Sequence, residues 1–260
     1  MAGAAFFDLD KTLIEGSSAL HFVRAAYKAG MLSRRMLLSS AWANVRFRLN
    51  GSTDEQTDEL RRWVLDLIAG QREIDLARLG PDVLAGVLPL VYEEMLQEAW
   101  EHQDAGRPAY IVTAASQELA AALARVLVFK GGIGMRSEVR NGVYTGEPAG
   151  PFTYREGKAV AIRQLAGEEG IDLAESYAYS DSESDLPMLR AVGHPVAVNP
   201  DAALERVALQ EGWRIIRFDT LRRRLRLGAA VGAGALVAGG GGYAVARLRR
   251  PARWRRLVRR

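Results

Sequence analysis

Apolar runs of four to six residues, each ending in a polar cluster, recur along the chain. Ala4–Leu9 runs into the polar stretch Asp8–Thr12 and predicts a short buried strand. Ala109–Val112 is a second strand, followed by Thr113-Ala114-Ala115-Ser116 and a helix from about Gln117. Ser176–Tyr179 is a third and ends at the acidic cluster Asp181–Asp185. Pro195–Val198 and Arg214–Phe218 are the last strands expected. Helical segments are expected at Pro89–Asp104 and Gly157–Glu169, and Asn141-Gly142 marks the turn of a hairpin over Ser137–Thr145. Strand and helix alternate, which predicts an α/β fold with a mostly parallel sheet and helices on both faces.

The stretch 17–88 breaks this rhythm. Ser33 is placed to cap a helix carrying Met36, Leu37, Trp42 and Val45. Thr53 and Gln56 have capping-box spacing ahead of Leu60, Trp63, Val64, Leu67 and Ile68, and Gly70 suits a helix stop. The block is helical and falls between the first strand and the next core unit. The organisation expected is therefore a discontinuous core, 1–16 and 89–220, with a helical insert at 17–88 and a separate tail at 221–260.

Composition changes the picture in two ways. There is no cysteine in the 260 residues, which excludes disulfides, thiolate catalysis and zinc–thiolate sites. The net charge of +4 divides sharply: twelve arginines and no acidic residue follow Thr220, leaving 23 basic against 31 acidic side chains in residues 1–220, a net of −8. An acidic body argues against nucleic acid as a partner, and only the tail is suited to a polyanion.

In an open α/β sheet the carboxyl ends of the strands line one crevice, where ligands bind. The polar clusters after the strands bring Asp8, Asp10, Thr113, Asp181 and Asp185 to that crevice, with Lys158 at a helix start. These residue types suit phosphate-monoester chemistry. Converging carboxylates raise one another's pKa values, and a hard cation such as Mg²⁺ relieves the repulsion. Thr113 and the backbone N–H groups around Ala114 offer an anion site, and Lys158 offers a positive charge for a phosphoryl oxygen. Asp8 and Asp10, two apart on an extended segment, face the same way, so that one attacks phosphorus while the other handles the leaving-group proton. Each motif alone also fits a plain exposed loop or helix cap; their order and their placement after strands give the signal. Gly131-Gly132-Ile133-Gly134 lacks the lysine of a phosphate-binding loop, and His21, His102 and His194 are too scattered for a metal site.

Four segments together resemble the haloacid-dehalogenase (HAD) superfamily, in particular its phosphoserine-phosphatase-like subgroup IB, across about residues 4–218. They are Phe6-Phe7-Asp8-Leu9-Asp10-Lys11-Thr12-Leu13, Tyr110-Ile111-Val112-Thr113-Ala114-Ala115-Ser116, Gly157-Lys158-Ala159 and Tyr179-Ser180-Asp181-Ser182-Glu183-Ser184-Asp185-Leu186-Pro187-Met188-Leu189. The resemblance implies a Rossmann-like parallel sheet with an inserted α-helical C1-type cap at 17–88. It implies Asp8 as nucleophile and Asp10 as general acid and then base. It implies Thr113, Ala114 and Lys158 at the phosphate, and Mg²⁺ held through Asp8, the backbone carbonyl of Asp10, Asp181 and Asp185. Three features depart from the pattern. Two alanines follow Thr113, where phosphoserine phosphatases usually place glycines after a serine. Ser180 stands where glycine is common, and Ser17 stands where phosphoserine phosphatases carry a glutamate for the substrate's amino group.

Leu227–Ala246 is twenty residues without a charge, a length that spans a bilayer, yet only five are Leu or Val and seven are glycine. Four arginines precede it and eight follow. A peripheral or re-entrant tail on an anionic membrane fits this charge pattern better than a single span. The expectation is thus a cytoplasmic phosphatase of a small phosphorylated metabolite, peripheral or tail-anchored at the inner face of the membrane. A lipid-phosphate phosphatase is the alternative. An inactive tethered binding module is a third reading, and phosphotransfer to an acceptor other than water stays open.

Overall fold

The computed structural model describes residues 2–32, 62 and 65–218. Met1–Arg217 form one compact unit; Phe218–Arg260 are divided from it, and of these only Phe218 is described. The expected helix starts at Ser33 and Thr53, the residues Leu60, Trp63 and Val64, and the whole arginine-rich tail lie outside the described residues.

Six strands form one parallel sheet: β1 (Ala5–Phe7), β2 (Ala109–Ser116), β3 (Gly131–Met135), β6 (Tyr177–Ser180), β7 (His194–Val198) and β8 (Arg214–Ile216). Their spatial order is β3-β2-β1-β6-β7-β8, and every pairing in it is parallel. The chain builds outward from β1 to β3, returns to lay β6 beside β1, and then builds the other way. The reversal lies between β1 and β6, where an open α/β sheet leaves its crevice.

Alternation along β1 sends neighbouring side chains to opposite faces. Phe6 stacks on Tyr110 with ring centroids 5.7 Å apart, in a core shared with Ile162 and Ala166 of α6 (Glu156–Glu169), Met188 of α7 (Leu186–Leu189) and Leu204 of α8 (Ala202–Glu211). Phe7 stacks on Tyr179 at 4.4 Å on the other face and meets His102 of α4 (Glu93–Asp104). Helices therefore cover both faces, as the strand–helix alternation predicts.

Between β1 and β2 lie α1 (Ser18–Lys28), α2 (Glu73–Ala77) and α3 (Gly80–Val87). His21 of α1 packs so closely on Gly86 of α3 that a Cβ there would stand 2.3 Å from its Nδ1. The hairpin is present as β4 (Ser137–Arg140) and β5 (Val143–Pro148), with Asn141 at φ 55° and Gly142 at φ 75°. Positive φ at both turn residues is what a tight two-residue connection requires. The hairpin is tied to the segment before α2 by Gly70 N–H to Tyr144 O and Tyr144 N–H to Gln71 O, both 2.9 Å.

Several boundaries differ from the sequence reading. The helix expected from Pro89 begins only at Glu93: Leu88–Leu90 form a single 3-10 turn, and Ile14 pairs with Val91 while Tyr92 N–H donates to Leu13 O, holding Val91 and Tyr92 extended. The strand expected to stop at Val112 runs on through Thr113 to Ser116, with an irregular register against β3. The run Gly131–Met135 is an edge strand, although three glycines give it little β propensity. A Cβ on Gly132 would lie 2.3 Å from Ala120 O, so the glycines let α5 (Gln117–Val126) pack directly on the strand.

Candidate active site

The site is built from strand ends. Asp8 follows β1, and the register Phe7↔Ile111 places Thr113 of the adjacent strand just beyond its level. Asp181 follows β6, which flanks β1 on the other side; Asp8 N–H donates to Tyr179 O at 3.0 Å and locks the two ends together. Beneath them, Tyr179 is held by His102 at 2.8 Å and by Glu98 at 3.1 Å. Arg107 donates to His102 Nδ1, so the neutral ring donates from Nε2 to the Tyr179 hydroxyl. Burial, reinforced by Arg107, pushes His102 down to about 4 and keeps it neutral.

Lys158 reaches the crevice from the first turn of α6. That turn needs Gly157, since a Cβ there would meet Phe152 O at 1.7 Å. The Lys158 ammonium donates to Asp8 Oδ1 at 2.5 Å and to Asp185 Oδ2 at 2.7 Å, and all three side chains are buried. Burial alone would lower the Lys158 pKa; Asp185 and Asp8 overcome it and raise it, so the lysine stays charged. Thr12 donates to Asp8 Oδ2 at 3.0 Å, leaving the nucleophile candidate bonded on both oxygens.

One cation does not balance the carboxylates. Burial raises Asp8 to about 6, with Asp185 and Asp10 adding to the rise and Lys158 opposing it. Burial likewise raises Asp181 to about 7, aided by Asp8 and opposed by Lys11, whose Nζ lies 3.9 Å away. Asp185 Oδ2 accepts from both Lys158 and Ser180 Oγ, the latter at 2.6 Å, whereas its buried Oδ1 has no hydrogen-bond partner. Among the described residues no three acidic or histidine side chains form a ready-made metal cage. The orphaned oxygen and the uncompensated carboxylates nevertheless are the donors that a hard oxygen-seeking cation satisfies.

Asp10 stands apart from this group. Its carboxylate turns toward the start of α1, where Ser17 Oγ donates to Oδ2 at 2.9 Å and Ser18 N–H donates to Oδ1 at 2.8 Å. Thr113 is buried, and its hydroxyl accepts from Ala115 N–H at 3.1 Å; Ala114 between them is half-buried.

The structure thus brings Asp8, Lys158 and Asp185 into direct contact, sets Asp181 beside them, and gives Asp10 separate partners. Sequence reasoning assigned no role to Thr12, Ser180 or Ser17, which contact Asp8, Asp185 and Asp10 respectively. The signal for Thr12 was its place four residues after Asp8 in the same polar cluster. Asp201 was missed altogether. It caps α8 through Ala203 and Leu204 N–H and accepts from Glu183 N–H at 3.1 Å, which pins the loop carrying Asp185.

Comparison with known proteins places the chain in a family. Residues 5–190 match the family model of haloacid dehalogenase-like hydrolases. A Mycobacterium tuberculosis protein named a probable phosphatase is 40% identical over 94% of this chain and 89% of its own length. The phosphoserine phosphatase SerB1 of the same organism is 37% identical over 97% of this chain and 82% of its own. A Bordetella pertussis crystal structure of unknown function superposes with a TM-score of 0.74 at 29% identity, covering 83% of this chain and 98% of the other. The chain belongs to the haloacid dehalogenase-like hydrolase family, as a phosphatase of its phosphoserine-phosphatase-like branch.

Proposed function

We propose that the chain hydrolyses the phosphomonoester of a small metabolite in a Mg²⁺-dependent reaction through an aspartyl-phosphate on Asp8. The observation that carries this reading is the pairing of Asp8 with a buried, permanently charged Lys158 at the switch point of the sheet. A carboxylate so held keeps an attacking oxygen fixed and ionised, while the lysine neutralises charge on the phosphoryl group.

In the first step an Asp8 oxygen forms a bond to phosphorus. The bond from phosphorus to the substrate oxygen breaks, and Asp10 gives that oxygen its proton. In the second step water attacks phosphorus, Asp10 takes the water's proton, and the Asp8–phosphorus bond breaks to release phosphate and free carboxylate. Thr113 and the Ala114 N–H hold the phosphoryl oxygens. Asp8, Asp181, Asp185 and the Asp10 carbonyl would hold the Mg²⁺, which when bound offsets the carboxylate charge and draws the phosphate in. The segment 17–88, which the sequence pattern reads as a helical insert, would serve as a cap that excludes water while the phosphoenzyme forms. A small phosphorylated substrate is favoured by the relative that carries the name phosphoserine phosphatase. Among the described residues no helix is long and apolar enough to cross a membrane.

The test is phosphate release with and without Mg²⁺ by the wild type and by Asp8→Asn. The panel holds phosphoserine, sugar phosphates, phenyl phosphate, p-nitrophenyl phosphate and phosphatidylglycerophosphate. Mg²⁺-dependent release from a soluble ester, absent in the variant, is the expected result. Release from the lipid alone would replace the metabolite with a lipid phosphate, and undiminished release by Asp8→Asn would remove the mechanism.

A further inference from the structure

Ser17 occupies the position just before α1, where a serine ordinarily accepts a hydrogen bond from the backbone of its own helix. Here it makes no such bond, although its backbone is extended as a cap requires, with φ −125° and ψ 128°. Its hydroxyl instead donates to Asp10 Oδ2, and the Asp10 carboxylate takes over the cap by accepting Ser18 N–H on Oδ1. The loop is shaped for this exchange. Lys11 N–H donates to Gly16 O at 3.0 Å, and Gly16 at φ 88° turns the chain back so that Ser17 comes over Asp10.

The two donors differ in what they permit. A backbone N–H only donates, so Oδ1 stays an acceptor. A hydroxyl rotates between donating and accepting, so Oδ2 can carry a proton and give it up without losing its partner. We propose that Ser17 is the positioning residue for proton transfer: it selects Oδ2 of Asp10 as the oxygen that protonates the leaving group and ties that oxygen to the first helix of the insert. This rests on the reading of Asp10 as the general acid.

A proton donor matters most when the leaving group is a poor one. The readout is therefore the ratio of kcat/KM for p-nitrophenyl phosphate to that for phenyl phosphate, two substrates of similar shape whose leaving groups differ in acidity. Because general acid catalysis contributes roughly 10²–10⁴-fold, Asp10→Asn is expected to raise this ratio by at least about tenfold. Ser17→Ala should raise it by roughly three- to tenfold with KM unchanged, since one of the two bonds to Asp10 remains. Ser17→Thr, which keeps the hydroxyl, should restore the wild-type ratio. A raised ratio in Asp10→Asn with none in Ser17→Ala overturns the role of Ser17 and leaves the acid intact. Equal loss on both substrates in Ser17→Ala reduces Ser17 to a structural part and overturns the proposal. An unchanged ratio in Asp10→Asn removes the acid reading itself.

Discussion

Asp8 and Asp10 are two residues apart, yet they inhabit different surroundings. Asp8 lies on the floor of the crevice, bonded to Lys158 and Thr12 and locked to β6 through its own N–H. Asp10 lies at the rim, and its carboxylate is bonded to the first residues leading into α1. The floor is fixed by the sheet and by the aromatic packing of Phe7, Tyr179 and His102 beneath it. The rim is fixed by Ser17 and Ser18 at the start of α1. On the proposed mechanism, the nucleophile is thus held by the sheet and Lys158, while the proton donor depends on where α1 begins.

The comparison breaks most completely at the floor. Asp8→Asn keeps the shape of the side chain and removes the attacking charge; phosphate release is expected to fall by more than about 10³-fold with circular dichroism unchanged. Lys158→Met should come next. It leaves Asp8 and Asp185 buried without their cation, so activity falls by about 10²-fold or more and stability by about 3–5 kcal/mol, read by urea unfolding. Asp185→Asn in the same background should restore part of the stability but not the activity, because it relieves the repulsion without replacing the charge.

A subtler effect concerns pH. Burial first of all raises Asp8 to about 6 and Asp181 to about 7, above their ordinary 3.8. The folded state therefore holds these protons more tightly than the unfolded chain does. The metal-free protein loses stability from both groups as pH rises from about 4 to about 7, and a bound cation reverses that loss. Thermal unfolding with and without MgCl₂ should show little separation at pH 5.5 and a clear rise in Tm with the metal at pH 8. The reverse order would contradict the carboxylate reading of the metal site.

The smallest effect is expected at Ser180, whose hydroxyl donates to the same Asp185 oxygen that Lys158 holds. Ser180→Gly should lower activity by no more than about tenfold and raise the Mg²⁺ concentration needed for half-maximal rate, since supporting contacts around a metal ligand count for roughly 10–100-fold in affinity. An unchanged Mg²⁺ requirement would leave Ser180 as packing alone.

What was legible in the sequence follows the same division between floor and rim. The strand ends that carry Asp8 and Asp181 announce themselves, because a short apolar run that stops at a polar residue marks where a buried strand ends; the same rule found Thr113 but stopped β2 too early, since that strand runs on to Ser116. Lys158 was legible as a lysine at an expected helix start and within the segment Gly157-Lys158-Ala159; why that turn needs Gly157 is seen only in its packing against Phe152. The edge strand Gly131–Met135 was hidden, since its glycines answer to the backbone of α5 and not to strand propensity. Asp201 and its helix α8 were hidden because a cap residue twenty positions from Asp181 gives no local sign that it ties back to the loop after it. Ser17 was visible only as a missing glutamate; its bond to Asp10 needs the turn at Gly16, which the sequence does not reveal.

The claim at the centre is that Asp8, and no other carboxylate in the crevice, receives the phosphoryl group. Acid quenching of the Asp10→Asn variant during turnover of p-nitrophenyl phosphate with Mg²⁺, followed by peptide mass spectrometry, tests it directly. That variant retains its nucleophile but lacks the base for the second step, so phosphate should accumulate on the peptide spanning Asp8 and vanish when Asp8→Asn is added. Phosphate on the peptide of Asp181 or Asp185, or p-nitrophenol release with no phosphopeptide at any time point, would contradict the account.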